Sequence, residues 1–130
     1  MEKATKAFWS DKHIYTCRAI NLRKRLHLFR TRILPILLYG CEIWILTPKV
    51  MNTIETWLKR MCRIIFRMNK TKQEEWPEYW KRTTEKIEEF LRKIAFYRPR
   101  DQVINRILKY AQRVLKYTRD ADHYTAGQTY

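Results

Sequence analysis

The chain has 130 residues with a formal net charge of +15, and 45% of the residues are hydrophobic but only two are glycines. This length fits a single domain with its own core, and the scarcity of glycine excludes a fold built on many tight β-hairpins. Because Lys, Arg, Glu and Leu favour helices, we predict an all-α fold, a small bundle of about four to five amphipathic helices with a flexible C-terminal tail.

The charge makes nucleic acid the first partner to consider, because such self-repulsion is relieved by a polyanion. An anionic membrane is the weaker alternative, since basic residues are spread over the whole chain without a terminal amphipathic anchor. Solubility alone is the third explanation. The three cysteines are widely spaced and odd in number. They predict a reducing compartment, such as an organellar (for example mitochondrial) matrix or the nucleus, rather than secretion.

The N-terminal residues 1–20 read as a short helix and a connector. Residues 2–9 place Ala4, Ala7 and Phe8 on one side, whereas residues 10–19 show no period. His13 and Cys17 have the spacing of metal ligands, but no second close pair accompanies them. We therefore expect neither a metal nor another cofactor.

A helical domain is predicted over residues 21–117, beginning with Asn21 as a helix cap. This first helix has an apolar stripe and three flanking cations that are candidate RNA contacts: Arg23, Lys24 and Arg30. The following run, residues 33–46, is shorter than the about 20 apolar residues of a membrane span. We expect it to bend at Pro35 and continue as a buried helix to about Leu46.

Three side chains of that run, Tyr39, Glu42 and Trp44, are predicted to hold helices together. Glu42 is an acid in apolar surroundings. It either pairs with a core arginine, which we favour, or is a perturbed catalytic carboxylate.

Thr47 and Pro48 predict the start of the clearest helix, which extends to about Met68. Opposite its apolar side, we place a first basic ridge of Lys59, Arg60, Arg63 and Arg67. Four cations on two turns suit phosphates along a nucleic-acid strand, although an ordinary solvated face is the alternative.

Trp76 and Pro77 predict the start of another helix. The cluster of Trp76, Tyr79 and Trp80 lies beside two cations and could stack unpaired bases. Core packing or a protein interface is the alternative for these aromatic residues.

Asp101 is predicted to cap the last helix, which has an apolar stripe from Val103 to Leu115. On the other face we place a second basic ridge of Arg106, Lys109, Arg113 and Lys116. The periodic pattern stops at Asp120, and residues 118–130 are predicted to form a flexible tail.

Catalytic patterns are missing from the sequence. It contains no nucleophile beside a base, no paired acids in an apolar setting and no glycine-rich phosphate loop. We therefore expect a protein that is not an enzyme.

Several segments together resemble non-LTR (LINE-type) retrotransposon reverse transcriptases. They are residues 22–29, the motif Leu-Pro-x-Leu-Leu-Tyr-Gly-Cys-Glu-x-Trp at 34–44, and residues 54–66. The similarity is to the helical thumb and the region after the catalytic palm. It implies an all-helical fold that grips a nucleic-acid duplex through its backbone. The paired-aspartate palm motif, the fingers and the endonuclease of that family are missing, so no catalytic residue carries over.

Three functions follow as hypotheses. The first is a non-catalytic RNA-binding protein of an RNP, an accessory ribosomal-type subunit that contacts rRNA or another structured RNA. The second is a structural subunit that bridges proteins in a large complex. The third is a thumb module that acts with a separately encoded catalytic partner.

Overall fold

The computed structural model describes the backbone of residues 1–128 and the side chains of residues 1–121. This part of the chain is helical and contains no strand, which confirms the all-α prediction. The elements are α1 (Glu2–Ser10), α2 (Lys12–Tyr15), α3 (Leu22–Arg32), α4 (Leu34–Leu37), a 3-10 helix (Cys41–Ile43), α5 (Pro48–Ile65), α6 (Trp76–Lys93) and α7 (Pro99–Gln128). None of the described helices is both long and apolar enough to cross a membrane.

The predicted helix starts of α3, α5 and α6 are confirmed. The Asn21 side chain accepts a hydrogen bond of 2.8 Å from the backbone N–H of Lys24. Thr47 does the same for the N–H of Val50 at 3.2 Å, with Pro48 as the first helical residue. These side chains satisfy N–H groups that the first turn of a helix leaves free, which is why local sequence locates them well.

An aromatic group forms the N-terminal half of the core. Phe8 stacks on Tyr15 with ring centroids 5.1 Å apart, and Phe29 stacks on Trp57 at 5.8 Å. Phe8 meets Phe29 edge to face at 5.9 Å, which joins the two pairs. The inward side of α1 was therefore predicted correctly, but the connector was not, because it contains α2 and the fully buried Tyr15.

The run 33–46 is not one buried helix. Its first half, including Leu34 and Leu38, is in the core. Helix α4 ends at Leu37, and Gly40 then adopts a left-handed conformation with φ of 74°, which separates α4 from the 3-10 helix. Beyond that point Ile43 is 79% exposed. The predicted extension to Leu46 is wrong because the glycine stands between two short helices rather than in the interior of one.

Two of the three predicted contacts in this run are also wrong. The Tyr39 side chain is 87% exposed and holds no helices together. Glu42 lies half-buried in the 3-10 helix, and among the described residues it forms no ion pair with an arginine. Trp44 does pack against the core, as predicted.

A charged network joins α5, α6 and the start of α7. Arg98 donates to Glu55 Oε2 at 3.1 Å and also to Glu88 Oε2. Lys59 Nζ lies 3.5 Å from the other Glu88 oxygen. The four side chains are partly buried. Their ion pairs connect the three helices at a single point.

Helix α7 leaves the bundle after its first two turns. It begins at Pro99 rather than after Asp101, and the Arg98 carbonyl accepts the N–H of Gln102 at 3.0 Å. Asp101 is thus a first-turn residue, and its prediction as the cap is wrong. Val103 is buried, whereas every side chain from 108 to 121 is exposed.

The helix continues through residues 118–128, where the sequence predicts a flexible tail. Residues 129 and 130 lie outside the described part of the chain. The mobility of the tail stays a prediction.

Candidate nucleic-acid interface

The α5 cations do not form the predicted continuous ridge. Lys59 is engaged with Glu88, and Arg63 donates to the hydroxyls of Thr83 and Thr84, both at 2.9 Å. Both cations are half-buried because α6 packs against this side of α5, which the wheel of α5 alone does not reveal. Arg60 remains exposed. Burial lowers the pKa of Arg63 from its usual value, but a guanidinium stays charged at neutral pH.

Arg67 lies beyond the helix rather than on it. Helix α5 ends at Ile65, and Arg67 has a left-handed φ of 58°. Its guanidinium donates to the Thr16 carbonyl at 3.0 Å, which fixes it beside α2. Arg25 has a matching role that the sequence does not predict: its Nη1 donates to the Ile65 carbonyl at 2.6 Å and satisfies the C-terminus of α5.

These elements surround a polar cleft of about 340 Å³ between α2, α5 and α6. Its polar lining consists of Lys12, Thr16, Arg63, Arg67, Asn69 and Tyr79. None of the described residues that line it is acidic, so its electrostatic potential favours an anion. The cleft combines two cations of the predicted first basic ridge, Arg63 and Arg67, with Lys12, whose role the sequence does not predict.

The aromatic cluster stands at the start of α6. Trp76 and Trp80 stack with their ring centroids 5.9 Å apart and are 58% and 47% exposed. Arg63 lies over the Trp80 ring at 4.4 Å from the centroid, and Lys70 Nζ lies over Trp76 at 5.1 Å. Tyr79 is different, because it is 7% exposed and its hydroxyl donates to the Met68 carbonyl at 3.0 Å. Tyr79 therefore packs within the protein, whereas the two indoles reach the surface.

The loop that leads into this cluster is tied down by an ion pair. Arg82 donates to both carboxylate oxygens of Glu74, at 2.8 and 2.9 Å. It also reaches the Asn69 carbonyl at 3.3 Å. The hydrogen bonds from Arg82 hold the pKa of Glu74 below its usual value, so this carboxylate is charged and already neutralised by its partner.

The α3 cations lie at another place. Arg23 and Arg30, together with His27, line a small cleft of about 160 Å³ that is closed on the other side by Phe96 and Tyr97. Lys24 is exposed on a neighbouring position of the helix. The sequence predicted these cations as a flank of α3, but the connector after α6 supplies the opposite wall.

The α7 cations form a ridge in part. Arg106 is half-buried, and its Nη1 donates to the Leu38 carbonyl at 3.3 Å, so it anchors α7 to the bundle. Lys109, Arg113 and Lys116 are exposed and surround, with Gln112, a shallow groove of about 350 Å³. In the predicted second basic ridge, Arg106 is therefore engaged in packing, whereas the other three cations are exposed.

The remaining reactive groups do not form a site. Cys17, Cys41 and Cys62 are free, and burial raises the pKa of Cys62 to about 12. Among the described residues no three His, Cys, Asp or Glu side chains lie close enough together to hold a metal ion.

Comparisons with protein-family models, with curated proteins and with solved structures found no match for this chain.

Proposed function

We propose that this protein binds structured RNA and catalyses no reaction, as an RNP-assembly protein derived from the thumb region of a reverse transcriptase. The observation that carries the proposal is the cleft between α2, α5 and α6, where cations converge without an acid beside two exposed indoles. Phosphates bind cations, and exposed aromatic rings bind bases, so both parts of a nucleotide find a matching group there. The net charge of +15 and the sequence resemblance support the same function.

The α7 groove is a second contact in this proposal. Lys109, Arg113 and Lys116 protrude from the bundle and are exposed, so a phosphate backbone reaches them without displacing protein contacts. Such contacts position RNA but read no sequence. We therefore expect binding that is sensitive to salt and tolerant of base sequence.

The salt dependence of affinity for an RNA hairpin tests the function. Each phosphate contact adds about 0.7 to 0.9 to the slope of log affinity against log salt. Changing Lys109, Arg113 and Lys116 together to Ser should reduce that slope by about 2 to 3 and weaken binding to unrelated hairpins alike. This triple change is cleaner than changing Lys59 and Arg63, which pack against α6.

A matched control removes the same charge from α6, where Lys81, Lys86 and Lys93 are exposed near acidic residues. Changing these three to Ser should leave the slope close to that of the unchanged protein. A slope near zero for the unchanged protein, or equal losses in both triple variants, would rule out RNA binding through these surfaces.

The second candidate function is a subunit that bridges proteins. The observation behind it is the apolar side of α7, where Leu108 is 57%, Val114 is 44% and Leu115 is 67% exposed. Exposed apolar groups that form a contiguous patch mark interaction surfaces. Affinity capture with and without ribonuclease separates the two functions, because protein partners that survive RNA digestion support bridging, whereas their loss supports RNA binding.

A further inference from the structure

We propose that Trp76 stacks an unpaired base of the bound RNA, while neighbouring phosphates enter the cleft lined by Lys12 and Arg67. This inference rests on the proposed RNA binding and specifies which part of an RNA the site takes. Trp76 is the first residue of α6, and 58% of its surface is open to solvent. Base pairs in a duplex hide their faces, so an exposed indole selects nucleotides that are not paired.

The indole is held in place before any ligand arrives. Its ring stacks on Trp80, and Trp80 lies under the guanidinium of Arg63. Arg63 is itself fixed by hydrogen bonds of 2.9 Å to Thr83 and Thr84. A binding group that is already ordered loses little conformational entropy when it binds, so the stack forms a ready platform.

Charges around the platform favour a nucleotide over an apolar protein segment. Lys70 Nζ lies 5.1 Å from the Trp76 centroid, and Arg63 borders the cleft while it covers Trp80. An aromatic anchor of a protein interface usually sits in an apolar centre that excludes charge, whereas here both indoles have a cation over the ring. Lys70 has a long flexible side chain that can move from the ring to a phosphate when a base arrives.

The acidic residues near Trp76 determine in which direction the RNA backbone leaves the stacked base. Glu75 and Glu78 are exposed, and by helical position they lie on other sides of α6 from Trp80. Their charge repels phosphates. Glu74 is neutralised by Arg82. The strand therefore leaves the base toward Arg63 and the cleft rather than along α6.

The test compares two RNA probes with the same base-paired stem, one a blunt duplex of two strands without a loop and the other the same duplex with a three-nucleotide unpaired extension. Stacking of one base contributes about 1 to 3 kcal/mol, so the extension should strengthen binding by about 5-fold to about 150-fold. Trp76→Ala should abolish most of that gain, so that the variant binds the two probes with similar affinity. Trp76→Phe should keep most of the gain, because a smaller ring still stacks.

Trp9 provides the matched control. It is 44% exposed and also has a cation over its ring, with Lys12 Nζ at 4.9 Å, but it has no stacked second indole. Trp9→Ala should retain the gain from the extension. Far-UV circular dichroism of both variants checks that the helices remain intact.

The outcomes separate this inference from the proposed function. Salt-dependent binding of both probes with equal affinity keeps RNA binding and overturns the stacking role of Trp76. An equal loss for both probes in Trp76→Ala, or the same loss of gain in Trp9→Ala, also overturns it. Failure of the unchanged protein to bind either probe removes the proposed function itself.

Discussion

Replacing Arg98 with Met tests how the three long helices are held together. The arginine donates to Glu55 at 3.1 Å and to Glu88. Because it directly precedes Pro99, the first residue of α7, these bonds link the start of α7 to α5 and α6. Methionine fills a similar volume but carries no charge. The Glu55 carboxylate would lose the one cation it contacts among the described residues, whereas Glu88 would keep Lys59.

The expected cost follows from burial. Breaking a fully buried ion pair costs about 3–5 kcal/mol, whereas exposed pairs contribute about 1 kcal/mol or less. Here 24% of the Arg98 side chain, 14% of that of Glu55 and 29% of that of Glu88 are exposed. Water therefore screens the network in part, and we expect Arg98→Met to lower the free energy of unfolding by about 2 kcal/mol at neutral pH.

The pH dependence identifies the charge as the cause. Burial alone would raise the pKa of Glu88, but hydrogen bonds and charges from Arg98 and Lys59 outweigh it, so this pKa lies below its usual value. A carboxylate with a lowered pKa in the folded state stabilises the fold above its unfolded pKa, about 4.3 for Glu. That stabilisation is lost as the pH falls through the folded pKa. The difference between the two proteins should therefore shrink as the pH falls below about 4.3.

Urea unfolding followed by helical circular dichroism measures both quantities. Arg92→Met is the control, since Arg92 is exposed on α6 and its loss should change the free energy of unfolding by no more than about 0.5 kcal/mol. Adding Glu55→Gln to Arg98→Met should recover part of the loss, because the uncompensated charge is then removed. A difference that stays constant from neutral pH to about pH 3.5 would attribute the loss to packing and refute this reasoning.

Three further predictions concern the cysteines, the turn and a cap. Half-buried Cys17 should react with iodoacetamide in the folded protein, whereas buried Cys41 and Cys62 should react only in urea, as mass spectrometry would show. Gly40→Ala should cost about 1–2 kcal/mol from its positive φ alone, since an added methyl group meets no atom within 4 Å; an unchanged urea midpoint would argue against that conformation. Asn21→Ala should cost about 1 kcal/mol through loss of the cap, while Asn21→Ser should cost much less in the same assay.

Local chemistry explains what the sequence predicted well. Asn21 and Thr47 bond to N–H groups three residues ahead, so their effect does not depend on the rest of the fold. The apolar sides of α1 and α5 follow from helical period in the same way. For these features a single segment contains all the interacting groups.

The predictions from sequence are wrong where residues far apart in the chain determine the local structure. The sequence of α5 alone predicts that Arg63 belongs to the first basic ridge, but its partners Thr83 and Thr84 are on another helix. The predicted apolar stripe of α7 runs to Leu115, but no other described helix covers its second half. Gly40 fits the interior of an apolar run and a helix terminus equally well on sequence alone, so the path after it could not be inferred from that run.

The docking of α1 has a consequence for the order of events during synthesis. Trp57 Nε1 donates to the Thr5 hydroxyl at 3.0 Å, across a separation of 52 residues. At translation rates of roughly 5–20 residues per second, α1 precedes its partner by several seconds. During that interval Phe8 has no complete core to enter, since Trp57 has not been made. Helix α1 therefore leaves the ribosome well before it can complete its packing, and its apolar side is open to chaperones until α5 has been made.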